Sequence, residues 1–292
     1  MKLVLLAVMF VLAAPAHADG PSPTEARLKL LDTGKDPKTT LQLVAKKGMK
    51  KRMTMTMGMA FTNKVNGTPT KIGIPPIEIA MDLKVTDVTA TGEITCELVF
   101  GKMKLHSDAS TPKAMTDAFA KIGSGIAGTK GRIRLARNGR TIETIFDIPS
   151  SLSPEAAELL ANMRSSLGQV SALLPEEPVG IGAKWETQQK IIDNNGMELD
   201  QVTISEVTAI KGKRTTLKQT VTNSAKPGKI KSKGIELDLK SVTGGGNGEM
   251  FYEAGTFVPV DGGMDITTSV KLSNGGQTFE TTVEMKLRMK TR

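Results

Sequence analysis

Met53, Met55, Met57 and Met59 stand at every second position of one short segment. Thioethers are soft ligands, and two of them on one ion is Cu(I) chemistry. Same-face neighbours on a strand lie about 7 Å apart, close enough for flexible side chains to converge. No His or Cys lies nearby in sequence to complete such a site. Adaptable apolar packing is the commoner use of methionine. The expectation is therefore no metal and no cofactor. Ile77, Ile79 and Met81 repeat the alternation a short way on. With aromatic residues at only 3%, a lining of Met53, Met55, Met57, Met59, Ile77, Ile79 and Met81 suits acyl chains, which need adaptable contact more than shaped stacking. The competing reading is a face filled by its own side chains.

Catalytic chemistry has less to stand on. One of the two histidines, His17, falls in the leader described below, leaving His106 beside Ser107 and Asp108. Adjacent residues on a strand point to opposite faces, so this tripeptide is not a triad. Glu155 and Glu158 read as flank acids near a helix start, where carboxylates are ordinarily solvated. Glu176 and Glu177 sit in a proline-bounded turn. Gly244-Gly245-Gly246-Asn247-Gly248 is not followed by Lys-Ser/Thr or by a helix, so it reads as a flexible hairpin connection and not a phosphate loop. No catalytic residue is assigned and no enzyme is expected. A hydrolase acting on envelope polymers is the weakest alternative.

The elements that position these residues are mostly strands. Alternation of apolar and polar residues is clean over 53–61, 77–85 and 283–289, and weaker over 131–137, 141–148, 214–222, 235–240 and 264–272. One wet face argues an antiparallel sheet. Asn138-Gly139, Asn195-Gly196, Asp261-Gly262 and Asn274-Gly275 have hairpin-turn chemistry. Ser153-Pro154-Glu155 opens a helix predicted over 154–174, with Leu159, Leu160, Met163, Leu167, Val170 and Leu174 on one stripe and Pro175 after it. Thr111-Pro112 opens a shorter helix with Met115, Phe119 and Ile122 inward, ended by Gly123 and Gly125. Residues 84–90 and 203–209 echo each other, through either an internal duplication or the chance matching of Thr- and Val-rich strands. Cys96 alternates with Ile94, Leu98 and Phe100, which predicts a buried, inert thiol.

Lys2, the apolar run Leu3 to Ala14, and Ala16-His17-Ala18 make a cleavable signal peptide over 1–18, shorter than the about 20 residues a spanning helix needs. The expectation is a periplasmic or secreted protein, cleaved near Ala18, with no transmembrane segment in the mature chain. A lone cysteine distant from that site excludes an N-terminal lipid anchor and an internal disulfide. The formal net charge is +9. Lys46, Lys47, Lys50, Lys51 and Arg52, with a second basic loop over 226–233, are the candidate contacts to an anionic envelope surface. Too few aromatics interleave with these cations to stack bases, so no nucleic acid is expected.

Pro175-Glu176-Glu177-Pro178-Val179-Gly180-Ile181-Gly182-Ala183-Lys184-Trp185 is the most distinctive segment. Together with the Met/Thr strand at 53–59, approached through Lys46-Lys47-Gly48, it resembles a family of uncharacterised exported bacterial proteins and lipoproteins, a domain of unknown function. Members often carry an acid where this chain has Ala183. The resemblance implies an antiparallel β-rich fold at the cell envelope and implies no reaction. The layout is more loosely similar to the half-barrel lipid carriers of bacterial envelopes, an analogy of architecture alone.

The expected fold is thus mainly β: a strongly curved antiparallel sheet (half-barrel, barrel or sandwich) with one long and one short helix. Residues 19–292 form a single domain of two halves, 39–148 and 176–292, joined by the helix at 154–174. The leading function is a non-enzymatic envelope protein binding a lipid or other apolar ligand. The alternative is a structural or interaction module with a filled core and a basic partner-binding surface.

Overall fold

Strands dominate because β-branched and unbranched apolar residues recur at period two, a pattern that buries a whole face of a sheet and only scattered points of a helix. The computed structural model describes residues 26–65, 67–109, 111–167, 173–192, 197–232 and 235–292. The strands are β1 (Arg27–Asp32), β2 (Lys35–Thr39), β3 (Lys50–Val65), β4 (Thr68–Val88), β5 (Ile94–Leu105), β6 (Lys130–Leu135), β7 (Thr141–Phe146), β8 (Val179–Ile181), β9 (Lys184–Ile192), β10 (Glu198–Lys211), β11 (Arg214–Ala225), β12 (Gly228–Ser232), β13 (Ile235–Glu253), β14 (Asp261–Asn274) and β15 (Gln277–Thr291). The helices are α1 (Lys113–Ile126) and α2 (Pro154–Leu167).

One large antiparallel sheet runs in the order β1-β9-β10-β11-β13-β14-β15-β3-β4-β5-β6-β7, with β12 added beside β13. It is open, since β1 and β7, at the two ends of the order, do not pair with each other among the described residues. The barrel alternative is therefore not realised. β2 and β8 make a separate two-stranded sheet.

β13 and β14 approach each other closely on one face, forming a crease in the sheet. Gly244, Gly246 and Gly248 all present the same face of β13. A Cβ at any of them would lie closer than 3.0 Å to a backbone oxygen of β14, that of Thr267, Asp265 or Gly263. Flat neighbouring strands are about 4.8 Å apart, so β14 must rise out of the plane toward that face. Glycine is needed here for the close approach. The run is thus the middle of a long strand and not a hairpin connection. Local composition reads as a loop, whereas the crease demands it of a strand. Asp261-Gly262 likewise begins β14 instead of turning a hairpin, and much of the basic loop at 226–233 is β12. Asn138-Gly139 and Asn274-Gly275 do lie at turns, with positive φ at both glycines. Asn195-Gly196 lies outside the described residues.

α1 and α2 are each 14 residues long. Gly123 and Gly125 lie inside α1 and do not end it; Gly123 lets the helix sit against Met103. Phe119 and Ile122 pack into the core as the stripe requires. In α2, Leu160 and Met163 are buried. Leu173 and Leu174 are not helical, so the predicted helix over 154–174 ends earlier; residues 168–172, with Val170, lie outside the described set.

The two meanders share an unusual join. Gly48 (φ 90) donates its N–H to the Val85 carbonyl at 2.9 Å, and Val85 donates to the Met49 carbonyl at 2.8 Å. Gly182 (φ 88) donates to the Val207 carbonyl at 2.8 Å, and Val207 donates to the Ala183 carbonyl at 2.9 Å. A register shift follows each valine. Inside it, Thr86 Oγ1 donates to the Thr95 carbonyl at 3.2 Å and Thr208 Oγ1 to the Thr216 carbonyl at 3.4 Å. Val85-Thr86 therefore corresponds to Val207-Thr208. The echo read between 84–90 and 203–209 is out of register with this geometry, because Val-Thr pairs recur in both strands.

Candidate functional site

Strand pairing brings the methionine and isoleucine set together. Met53 pairs with Met81, Met55 with Ile79 and Met57 with Ile77 across β3 and β4. On the other side of β3, Met55, Met57 and Met59 pair with Met289, Leu287 and Met285 of β15. Met57's row continues through Met264 and Gly248 to Gln219, Ser205 and Trp185. Met59's row continues through Ile266 and Gly246 to Val221, Thr203 and Thr187. Phe61's row continues through Val283, Thr268 and Gly244 to Asn223, Gln201 and Gln189. All three rows cross the glycine crease, with a methionine-rich wall (β14, β15, β3, β4) on one side of it and a wall of amides and hydroxyls (β9, β10, β11) on the other. No residue in these rows is charged.

Apolar clusters lie at both ends of this face. At one end a core cluster joins Leu98, Phe100, Ile126, Leu160, Trp185, Leu217 and Phe257. Trp185 is fully buried, and its Nε1 donates to the Leu173 carbonyl at 2.7 Å. Leu174 donates its N–H to the Asn138 carbonyl at 2.9 Å, so the segment after α2 bridges the two halves of the sheet. At the other end Ile230, Leu239, Val242 and Leu272 form a second cluster. Between the clusters, Met57, Met59, Met285, Leu287, Met264 and Ile266 are half-buried and belong to neither. The seven predicted residues thus divide. Met53, Ile77, Ile79 and Met81 are buried core; Met55 is half-buried against that core; only Met57 and Met59 are half-buried outside both clusters.

Sequence reasoning missed the facing wall. Gln189 Nε2 donates to Gln201 Oε1 at 3.0 Å, and Gln201 Nε2 donates to Asn223 Oδ1 at 3.0 Å, an amide ladder across three strands. Gln219 Nε2 donates to Ser205 Oγ at 3.4 Å. Asn63, only 2% exposed, lies on the methionine wall; its Oδ1 accepts from Thr281 Oγ1 at 2.8 Å. Its Nδ2 is buried with no partner among the described residues. An unsatisfied buried donor costs about 1–3 kcal/mol. The signal for this wall is period-two recurrence of Gln, Asn, Ser and Thr, which hydrophobicity counting passes over.

The other chemical candidates stay apart. His106 lies just beyond β5 with Nε2 3.1 Å from Glu78 Oε2; it is exposed, as are Ser107 and Asp108. The Glu155 carboxyl is held below its usual range, first by a backbone hydrogen bond and then by Ser153, as at a helix start. Glu176 and Glu177 are exposed. Among the described residues no three His, Cys, Asp or Glu side chains converge as a metal ion needs. Cys96 is 2% exposed, and burial pushes its thiol up to about 12. Among the described residues no helix is long and apolar enough to cross a membrane. Lys50, Lys51, Arg52, Lys84 and Arg292 line a shallow concavity of about 510 Å³, with Asp82 and Glu97. No family model and no curated protein matches the chain.

Proposed function

We propose that this chain is a non-enzymatic, exported envelope protein that holds the apolar chain of a lipid in a trough between the methionine wall and the amide wall. The observation that carries this reading is the stretch of half-buried Met57, Met59, Met285, Leu287, Met264 and Ile266, contiguous across three strands and outside both core clusters. A folded chain gains about 25 cal/mol for each Å² of apolar surface it removes from water, and this surface is left partly wet. Methionine suits a bound chain whose conformation varies, because its side chain re-packs readily. Organic extraction of the purified protein, followed by mass spectrometry, is expected to release lipid in near-stoichiometric amount. Finding no lipid, together with no binding of the neutral probe N-phenyl-1-naphthylamine, would overturn the reading.

A second reading rests on the basic concavity. Five cations against two acids there favour contact with an anionic surface, and such contact weakens with salt. Lys50→Glu with Lys84→Glu is expected to abolish co-sedimentation with phosphatidylglycerol vesicles. Unchanged sedimentation removes it.

A further inference from the structure

The geometry points to an uncharged amphiphile as the occupant, with one acyl chain along the methionine wall and a hydroxyl- and ester-bearing head against the amide wall. This rests on the lipid-binding reading and narrows it. The rows that cross the crease hold no cation, so a carboxylate or phosphate drawn into them would be desolvated without a partner. Neutral polar groups fit instead. Gln201 is bonded on both sides, to Gln189 and Asn223, and carboxamides offer both donors and acceptors. Hydroxyl groups likewise donate and accept, so they can join such a ladder without a buried charge. Asn63 supplies the independent observation. Its Oδ1 is occupied by Thr281, while its Nδ2 is a buried donor with no partner among the described residues. An ester carbonyl is an acceptor without a charge, and it matches that unused N–H.

The test uses the whole mature chain loaded with N-phenyl-1-naphthylamine. Displacement is measured with 1-monomyristoylglycerol, myristate and 1-myristoyl-lysophosphatidylglycerol, each below its micelle threshold, at about pH 8, where the carboxylate is ionised. The monoacylglycerol is expected to displace the probe at about tenfold lower concentration than either anion, a decade of affinity. Equal or better displacement by myristate or the lysophospholipid overturns the inference and leaves lipid binding standing. Failure of the probe and of all three lipids to bind overturns the underlying reading as well. Gln201→Leu is expected to keep probe binding and lose most of the discrimination. A variant that still discriminates tenfold removes the amide wall as the head site. The wild-type panel decides the preference whether or not the variant folds.

Discussion

The wall built by β14, β15, β3 and β4 and the wall built by β9, β10 and β11 occupy the same face of one sheet, yet they are lined by opposite chemistry. The first presents mostly methionine, leucine and isoleucine at these positions, with Thr268 and Asn63 among them; the second presents mostly glutamine, asparagine, serine and threonine, with Val221 and Trp185 among them. A core needs both walls apolar, because burying an amide gains nothing that a methyl group would not give more cheaply. The difference therefore teaches that the middle of this face is a mixed surface, with Phe61, Val221, Gln219 and Ser205 buried and Met57, Met59 and Met285 of β3 and β15 half-buried. Where the face is core, at the end covered by α1 and α2, both halves contribute apolar residues: Val85 and Leu98 from one, Val207 and Leu217 from the other.

The crease between the two walls is the most sensitive element. Gly246→Val places a branched side chain against the Asp265 carbonyl. The expected loss is about 3 kcal/mol or more, as for severe overpacking. Gly73→Ala, with open space around its Cβ, is the control and is expected to be near neutral. Urea midpoints measure both. Equal midpoints would mean that β13 tolerates a side chain and that the walls need no close approach.

What was legible in the sequence follows the same division. The strands of the methionine wall announce themselves because inward and outward residues differ in hydropathy. Those of the amide wall do not, since Gln201 and Thr203 face inward much as Asp200 and Ser224 fill other positions of the same strands. Only the pairing shows which residues share a face. The glycine run misled for a related reason. Gly244 to Gly248 is turn-like by composition, and the demand for glycine comes from β14, about twenty residues on. Cys96 was legible because its burial follows from alternation alone. The two-wall arrangement was not, because it depends on long-range register.

The shared join gives a second test. Val85 and Val207 are both fully buried and make the same pair of backbone bonds to a glycine turn. Val85→Ala and Val207→Ala should each cost about 2 kcal/mol, at the low end of core truncations. Matched losses in thermal or urea unfolding support equivalent structural roles. A loss confined to one would show that the common hydrogen bonds hide different packing.

A smaller effect concerns Cys96 on the first half, where the second half has Leu217. Burial raises the thiol to about 12 from 9.0. The folded state therefore keeps its proton where the unfolded chain loses it. Stability from this group is fully present below the unfolded value and falls as pH rises through and above it. By about pH 10 the loss should be about 1 kcal/mol relative to Cys96→Ala, which has no such titration. Parallel stability curves for the two proteins between neutral and alkaline pH would contradict it. The same burial predicts no reaction with a thiol reagent until the protein unfolds.

The smallest expected effect cuts deepest into the comparison of walls. Met59→Gln carries the chemistry of one wall onto the other. Met59 is half-buried and outside both core clusters, so its amide keeps access to water and the expected cost is under about 1 kcal/mol. Met81→Gln, at a side chain 1% exposed within the core, should cost several times more, because its amide is buried without a partner. The two methionines lie on adjacent strands and face the same way, so a flat sheet pattern gives no reason to separate them. Only the reading of Met59 as lining and Met81 as core does. If Met59→Gln leaves the urea midpoint in place and weakens N-phenyl-1-naphthylamine binding, apolarity at that position serves a ligand and not the fold. If both variants unfold alike, the methionine wall is core throughout and the trough has no open stretch to fill.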